Sequence, residues 1–300
     1  MQLAFTDRNS TDRNSTDRNS TDIIGAVNEE LHERGWSLMP QGASSIEEFS
    51  NLFSRFTTKL TFDPAREFVS TVAQSVDAGT VAVGLHIENG NTPLPPDTVA
   101  FFSKKSATQG AQTTVCDGVQ VLRALSAGLR RRFEEPYTMT RHLSSAIWRR
   151  YIGQALGIAE NDVNIKVLDT FIAAIPGQSY VMRDDEGIDY TLQLRAIRSD
   201  NRLGTPAFAN ALLGPSYNYE APVYRFNDGE IMVSEVFEEL RQLCEVHTQE
   251  ISWADGMVAI IVNKRVMHGR REILVPLSER ELCIAMGFNE SLHSDLGATA

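Results

Sequence analysis

The β-forming runs of this chain, at residues 81–87, 98–102, 190–197, 257–262 and 281–286, are short, far apart and bounded by turn residues. That spacing does not suit regular strand–helix–strand alternation. It favours antiparallel sheets folded onto each other, with amphipathic helices predicted at 119–133 and 234–246 packed outside. The expected fold class is therefore mainly β with flanking α, a sandwich or jelly roll.

Before the first of these runs, Ile24, Val27 and Leu31 recur at helical spacing and Gly35 supplies a stop, so a helix is expected to lead into a strand at 36–39. Ser45 stands three residues before Glu48 and opens the apolar stripe Ile46, Phe49, Leu52, Phe53 and Phe56, which predicts a capped second helix. Residues 6–22 repeat Thr-Asp-Arg-Asn-Ser with no apolar side chain to bury, so residues 1–22 are expected to be disordered and 23–300 to form one domain.

Net charge of −11 opposes attraction to phosphate backbones, which argues against nucleic acid as a partner. No apolar run is long enough for a membrane span, and the first residues lack the basic-then-apolar pattern of a secretory signal. Cys116, Cys244 and Cys283 are odd in number and match no zinc or redox spacing, so a cytoplasmic protein with reduced thiols is expected. Nothing in the sequence sets the oligomeric state.

Chemistry concentrates at three positions. His86 and Glu88 end a β-type run two residues apart, and strand alternation turns them to the same side. His268, expected at the end of the strand that begins near Met257, supplies a second imidazole. Two imidazoles and one carboxylate on one face of an octahedral ion leave open positions for co-substrate and dioxygen, although a zinc hydrolase can share the set. Thr113, in Gly110-Ala111-Gln112-Thr113-Thr114, offers a hydroxyl donor, and Arg280, twelve residues after His268, offers a fork for a carboxylate. Arg270 and Arg271 are rivals for that role; Arg280 is preferred because a residue on the following strand can face back into the barrel, whereas Arg271 immediately follows the ligand turn.

These segments resemble the taurine dioxygenase and clavaminate synthase-like family. The resemblance is carried by Gly84-Leu85-His86-Ile87-Glu88-Asn89 followed by Pro95-Pro96-Asp97, by Gly110 to Thr114 leading to Asp117-Gly118, and by Val266-Met267-His268-Gly269-Arg270 with Arg280 behind it, and it spans roughly residues 23–288. It implies a double-stranded β-helix (jelly roll, cupin-like) core, Fe(II) held by His86, Glu88 and His268, 2-oxoglutarate held by Thr113 and Arg280, and O2 as oxidant. It further implies hydroxylation of an amino acid or natural-product intermediate, free or carrier-tethered, with release of succinate and CO2, or desaturation or ring closure on the same chemistry.

The acidic ligand is Glu, as in the clavaminate synthase branch, which makes taurine a poor substrate guess. Its presence also argues against halogenation, since related halogenases carry a small residue there. Asn89 and Asn91 would lie near substrate. Arg195, Arg198, Arg202 and Arg225 are candidate partners for a substrate carboxylate, with Arg225 carried forward, and the segment 175–200 reads as either a lid or a solvated hairpin.

Overall fold

The computed structural model describes residues 11–63, 66–76, 79–200, 204–214 and 221–289, with side chains from Ile23 onward. Two antiparallel sheets face each other. The larger runs Trp36–Met39, Val258–Val262, Thr98–Lys105, Glu281–Phe288, Lys59–Thr61, with Gln74–Ser75 also pairing on Glu281–Phe288. The smaller runs Thr248–Ile251, Thr113–Asp117, Val266–Arg270, Val83–His86. Neighbouring strands are mostly distant in sequence, so the chain crosses repeatedly between the sheets. This is the expected double-stranded β-helix.

Strand alternation sorts the side chains into layers. Val99 and Phe101 join Val115, Ile251, Val266 and Ile284 in a cluster that draws on both sheets. The intervening Ala100 and Phe102 pack outward under the first two helices, against Val27, Leu31, Phe49 and Phe53. Phe49 stacks on Phe102 at 5.3 Å between ring centroids. Burying each such ring contributes about 1.5–3 kcal/mol, which is why the helices sit on this face.

The first helix, Thr11–Arg34, ends as the sequence predicts. Gly35 adopts φ +82° and its N–H donates to the Leu31 carbonyl at 3.0 Å. A side chain at Gly35 would meet Val266 Cγ2 at 2.6 Å, so close packing adds to the demand for glycine. The backbone from Thr11 onward is helical where disorder is expected through Asp22, while residues 1–10 lie outside the described residues. A helix nucleated by the buried stripe at Val27 and Leu31 can propagate backward through polar residues.

In the second helix, Ile46–Phe53, the Ser45 hydroxyl accepts from Glu48 N–H at 3.1 Å, and Glu48 reaches back to Ser44 N–H at 2.8 Å. The expected box thus closes one residue early.

Three expectations need correction. The helix predicted over 119–133 is two, Gly118–Ala124 and Ala127–Glu134, because Ser126 breaks the run and caps Leu129 N–H. The strand predicted over 190–197 divides into Ile188–Leu194 and Ile197–Ser199, with the Ala196 carbonyl diverted to Ala209 N–H. His268 lies in the middle of its own strand, Val266–Arg270, because 263–265 form a turn after Val258–Val262.

Between Thr113–Asp117 and Thr248–Ile251, a large insertion builds a third sheet, Val223–Arg225, Tyr137–Leu143, Ile188–Leu194, Gln178–Met182, with a small core around Trp148, Ile152, Val163 and Leu168. Within it, residues 178–194 form an antiparallel hairpin closed by Arg183 N–H to the Gly187 carbonyl at 2.9 Å, with an exposed tip and with Ile188, Leu192 and Leu194 buried in the core. No helix among the described residues is long and apolar enough to cross a membrane.

Candidate metal centre

The small sheet brings the two imidazoles together. In the pairing of Val83–His86 with Val266–Arg270, His86 lies directly opposite His268, and the ring centroids are 4.7 Å apart. Gly269 permits the approach of the two strands, and Gly84 permits a close approach to Leu213. A Cβ on Gly269 would meet the Val83 carbonyl at 2.5 Å, and one on Gly84 would meet the Leu213 carbonyl at 2.0 Å. The edge of Phe101 packs against the His268 ring at 5.2 Å and closes the site from the large sheet.

Glu88 lies two residues beyond the strand end, and a buried amide fixes its backbone. Asn263 accepts from Glu88 N–H at 2.8 Å and donates to the Glu88 carbonyl at 3.1 Å and the Pro96 carbonyl at 2.9 Å. The Glu88 carboxylate then falls between the rings, with Oε1 3.3 Å from His268 Nε2 and 3.8 Å from His86 Nε2. One donor atom from each of His86, Glu88 and His268 lies within 4.8 Å of the others. His86 Nδ1 is 2.8 Å from the Gly84 carbonyl; protonated there, it donates to that carbonyl and leaves Nε2 bare toward the cluster.

Protonation states suit a cation. Burial favours a neutral Glu88, but the Arg66 guanidinium, 3.0 and 3.1 Å from the two carboxylate oxygens, outweighs it together with His268 and His86. The carboxyl is held well below the usual carboxylate range. Burial lowers His268, with Glu88 opposing, so the imidazole is kept neutral with its lone pair available. A desolvated carboxylate and a neutral His268 imidazole, with His86 Nε2 facing the same point, suit a divalent metal. The residues therefore fit the Fe(II) that the sequence implies.

A second feature lies between Thr113–Asp117 and the turn before Glu281–Phe288. Thr113 is buried, and its Oγ1 accepts from Trp253 Nε1 at 2.8 Å. Trp253 and Arg280 line one small cavity with Ser103, Gly110 and Leu282. Arg280 donates to the Val76 carbonyl at 3.0 Å, and no carboxylate of a described residue pairs with it. Burial first, and then the neighbouring positive charge of Arg270, push its guanidinium down to about 10. A half-buried cation lacking a counter-ion among the described residues is a receptor for an anion.

Arg271, by contrast, is spent on the surface, with bonds of 2.6 Å to Glu250 and 2.5 Å to Glu245 that raise its basicity. Arg270 donates to the Gly79 and Val81 carbonyls.

The substrate-side candidates divide. Asn89 takes a left-handed φ of +53°, and its carbonyl accepts from Thr92. Asn91 donates to Tyr224 Oη at 3.0 Å, its backbone carbonyl accepts from Arg141, and its buried Oδ1 has no partner among the described residues. Arg225 is not brought to this region: Tyr224 turns inward, so Arg225 faces solvent and donates to the Gly229 carbonyl. Arg195 is exposed, Arg198 donates to the Ala209 carbonyl, and Arg202 lies outside the described residues. Sequence reasoning missed Arg66, Asn263 and Trp253. Each acts across a gap in sequence too long for any local motif to show.

The chain resembles a taurine dioxygenase from Burkholderia xenovorans at TM-score 0.59 and 12% identity, covering 89% of this chain and 80% of that one. It resembles an asparagine oxygenase, solved with Fe(II), 2S,3S-3-hydroxyasparagine and succinate, at TM-score 0.54 and 15% identity, covering 89% and 78%. The enzyme AAD-2, solved with Mn(II) and N-oxalylglycine, gives TM-score 0.52 and 13% identity over 89% and 86%. No curated protein matches significantly. The model of the family described as taurine catabolism dioxygenase TauD, TfdA matches residues 7–286. The chain therefore belongs to the TauD/TfdA family and is an Fe(II)- and 2-oxoglutarate-dependent dioxygenase.

Proposed function

We propose that residues 23–300 act as one catalytic unit that hydroxylates a small polar molecule, an amino acid or an amino-acid-derived biosynthetic intermediate, free or carrier-tethered. His86, Glu88 and His268 hold the iron; Thr113 and Arg280 hold the distal carboxylate of 2-oxoglutarate; Asn89 and Asn91 border the substrate. The observation that carries the reading is the complete His–Glu–His set with Glu88 ionised. When bound, iron supplies the oxidising chemistry that couples conversion of 2-oxoglutarate and O2 into succinate and CO2 to insertion of the other oxygen atom into the substrate.

The protein's own groups account for selectivity within that chemistry. Glu88 fills the position that a halide would need, which favours oxygen transfer over halogenation. Phe101 and the buried faces of both sheets keep bulk water from His268. Arg280 meets an anion that relieves its own desolvation. An amino-acid substrate is supported by the Asn91 amide oxygen, which has no partner among the described residues and lies beside Tyr224 and Arg141, and by the fold shared with an asparagine oxygenase. The three cysteines are unpaired and buried, which suits the cytoplasm.

The test is anaerobic reconstitution with ferrous iron, a screen of free and carrier-bound amino acids reading succinate, and mass analysis of the product formed under oxygen-18 gas with chloride present. A product carrying the heavy oxygen and no chlorine is expected. A chlorinated product contradicts Glu88 as a ligand, and an unlabelled product lighter by two hydrogens makes the enzyme a desaturase or cyclase.

A further inference from the structure

Arg66 belongs to no motif, yet it makes the closest contacts to Glu88 outside the backbone. Its Nη2 donates to both carboxylate oxygens, at 3.0 and 3.1 Å, and its Nε lies 3.4 Å from Asp63 Oδ2. The side chain is presented by a built support. Arg66 N–H closes a turn on the Asp63 carbonyl at 3.1 Å. The buried side chain of Gln74 clamps that turn, accepting from Asp63 N–H at 2.9 Å and donating to the Asp63 and Arg66 carbonyls at 2.8 and 3.3 Å. Gln74 is itself held in register against Ile284 of the large sheet. The guanidinium is thus aimed by the barrel.

The two oxygens of Glu88 are not equivalent. Oε1 is the one that faces His268 and His86. Arg66 contacts both oxygens, and among the described residues it is the one side chain that contacts Oε2. A carboxylate can bind a metal through one oxygen or both. With two imidazoles and one Glu88 oxygen on an octahedral ion, a chelating 2-oxo acid leaves a single position for dioxygen. A second bond from Glu88 would fill it.

We propose that Arg66 is a positioning residue that keeps Glu88 a one-oxygen ligand by hydrogen-bonding its carboxylate from outside the triad, and so holds the last coordination position open. This rests on His86, Glu88 and His268 being the ligands.

Nitric oxide tests the idea, because it is neutral and reports an open position without responding to the charge of Arg66. Wild-type protein, Arg66→Met and Arg66→Lys are loaded anaerobically with ferrous iron. Each is then examined with and without saturating 2-oxoglutarate for the visible charge-transfer band of the chelate and for the high-spin nitrosyl signal. Wild type and Arg66→Lys should show both together. Arg66→Met should bind iron at least as tightly as wild type and form the chelate. Its nitrosyl signal should fall by about tenfold or more once 2-oxoglutarate is present, and return when 2-oxoglutarate is left out. Arg66→Ala, in which water can fill the space, serves the same comparison if Arg66→Met does not fold.

A full nitrosyl signal on chelated Arg66→Met iron overturns the proposal. So does loss of the chelate band with the nitrosyl intact, which would make Arg66 a receptor for the oxo acid. Weakened iron binding with an unchanged nitrosyl would reduce Arg66 to structural support and overturns it as well. Wild-type protein that takes up no iron would overturn the ligand assignment, and the proposal with it.

Discussion

Replacing Arg280 by alanine separates co-substrate binding from folding. In the absence of an anion, burial and the proximity of Arg270 disfavour the guanidinium, lowering it to about 10. That shift corresponds to about 3 kcal/mol against the isolated cation, reduced by its partial exposure. Arg280→Ala therefore removes an unfavourable charge from the free protein, and its melting temperature without 2-oxoglutarate should hold steady or rise. Binding should respond in the opposite direction. Truncating one partner of a desolvated charge pair costs about 2–5 kcal/mol, which is roughly 30-fold to a few thousandfold in affinity. The assay is anaerobic titration of the ferrous protein with 2-oxoglutarate, following the chelate's visible absorption, with Arg271→Ala in parallel. Arg271 already pairs with Glu245 and Glu250, so its removal should change the affinity by less than about threefold. A larger effect from Arg271→Ala than from Arg280→Ala, or a loss of melting temperature in Arg280→Ala without a change in binding, would refute the reasoning.

Three further outcomes are expected. Gly84→Ala places a Cβ 2.0 Å from the Leu213 carbonyl, and the forced shift should cost about 1–3 kcal/mol and weaken metal uptake by displacing His86; unchanged melting and uptake would show that the contact relaxes freely. Metal-free protein should lose stability on acidification. His268 is held below 6.5 and Glu88 below 4.5, so each contributes stability above those values that is lost as pH falls through its lower folded value, and His268→Gln should flatten the first part of the decline in a melting series against pH. Deleting residues 6–22 should leave melting and turnover unchanged, since the tract carries no apolar side chain to bury, and a fall of several degrees would show that it docks.

The site was legible where chemistry and strand period coincide. A period of two pointed to His86 and Glu88 on one side, although Glu88 lies past the strand end and is held at the cluster by Asn263, and His268 stood out as an imidazole behind an apolar run. Apolar β-type runs at 98–102, 257–262 and 281–286 located the barrel strands Thr98–Lys105, Val258–Val262 and Glu281–Phe288, whose side chains are mostly buried on both faces. The third sheet was less legible. Val223–Arg225, Gln178–Met182 and half-exposed Tyr137–Leu143 are short or mixed in polarity, and the sequence does not separate them from loop. Ser126 was a capping residue inside a helical stripe and could be read either way. Arg66 left no trace in the sequence, because its contact with Glu88 depends on Gln74 and on the register of Gln74–Ser75 against Glu281–Phe288.

His86, Glu88 and His268 should hold one iron to which 2-oxoglutarate binds. Anaerobic titration of the metal-free protein with ferrous iron in saturating 2-oxoglutarate, read by the charge-transfer absorption of the chelate, decides it. The absorption should saturate at one equivalent in the wild type and be absent in His86→Ala, Glu88→Gln and His268→Ala, each of which should keep a cooperative melt. A wild-type protein without the band, or His268→Ala giving the full band at one equivalent, would contradict the assignment.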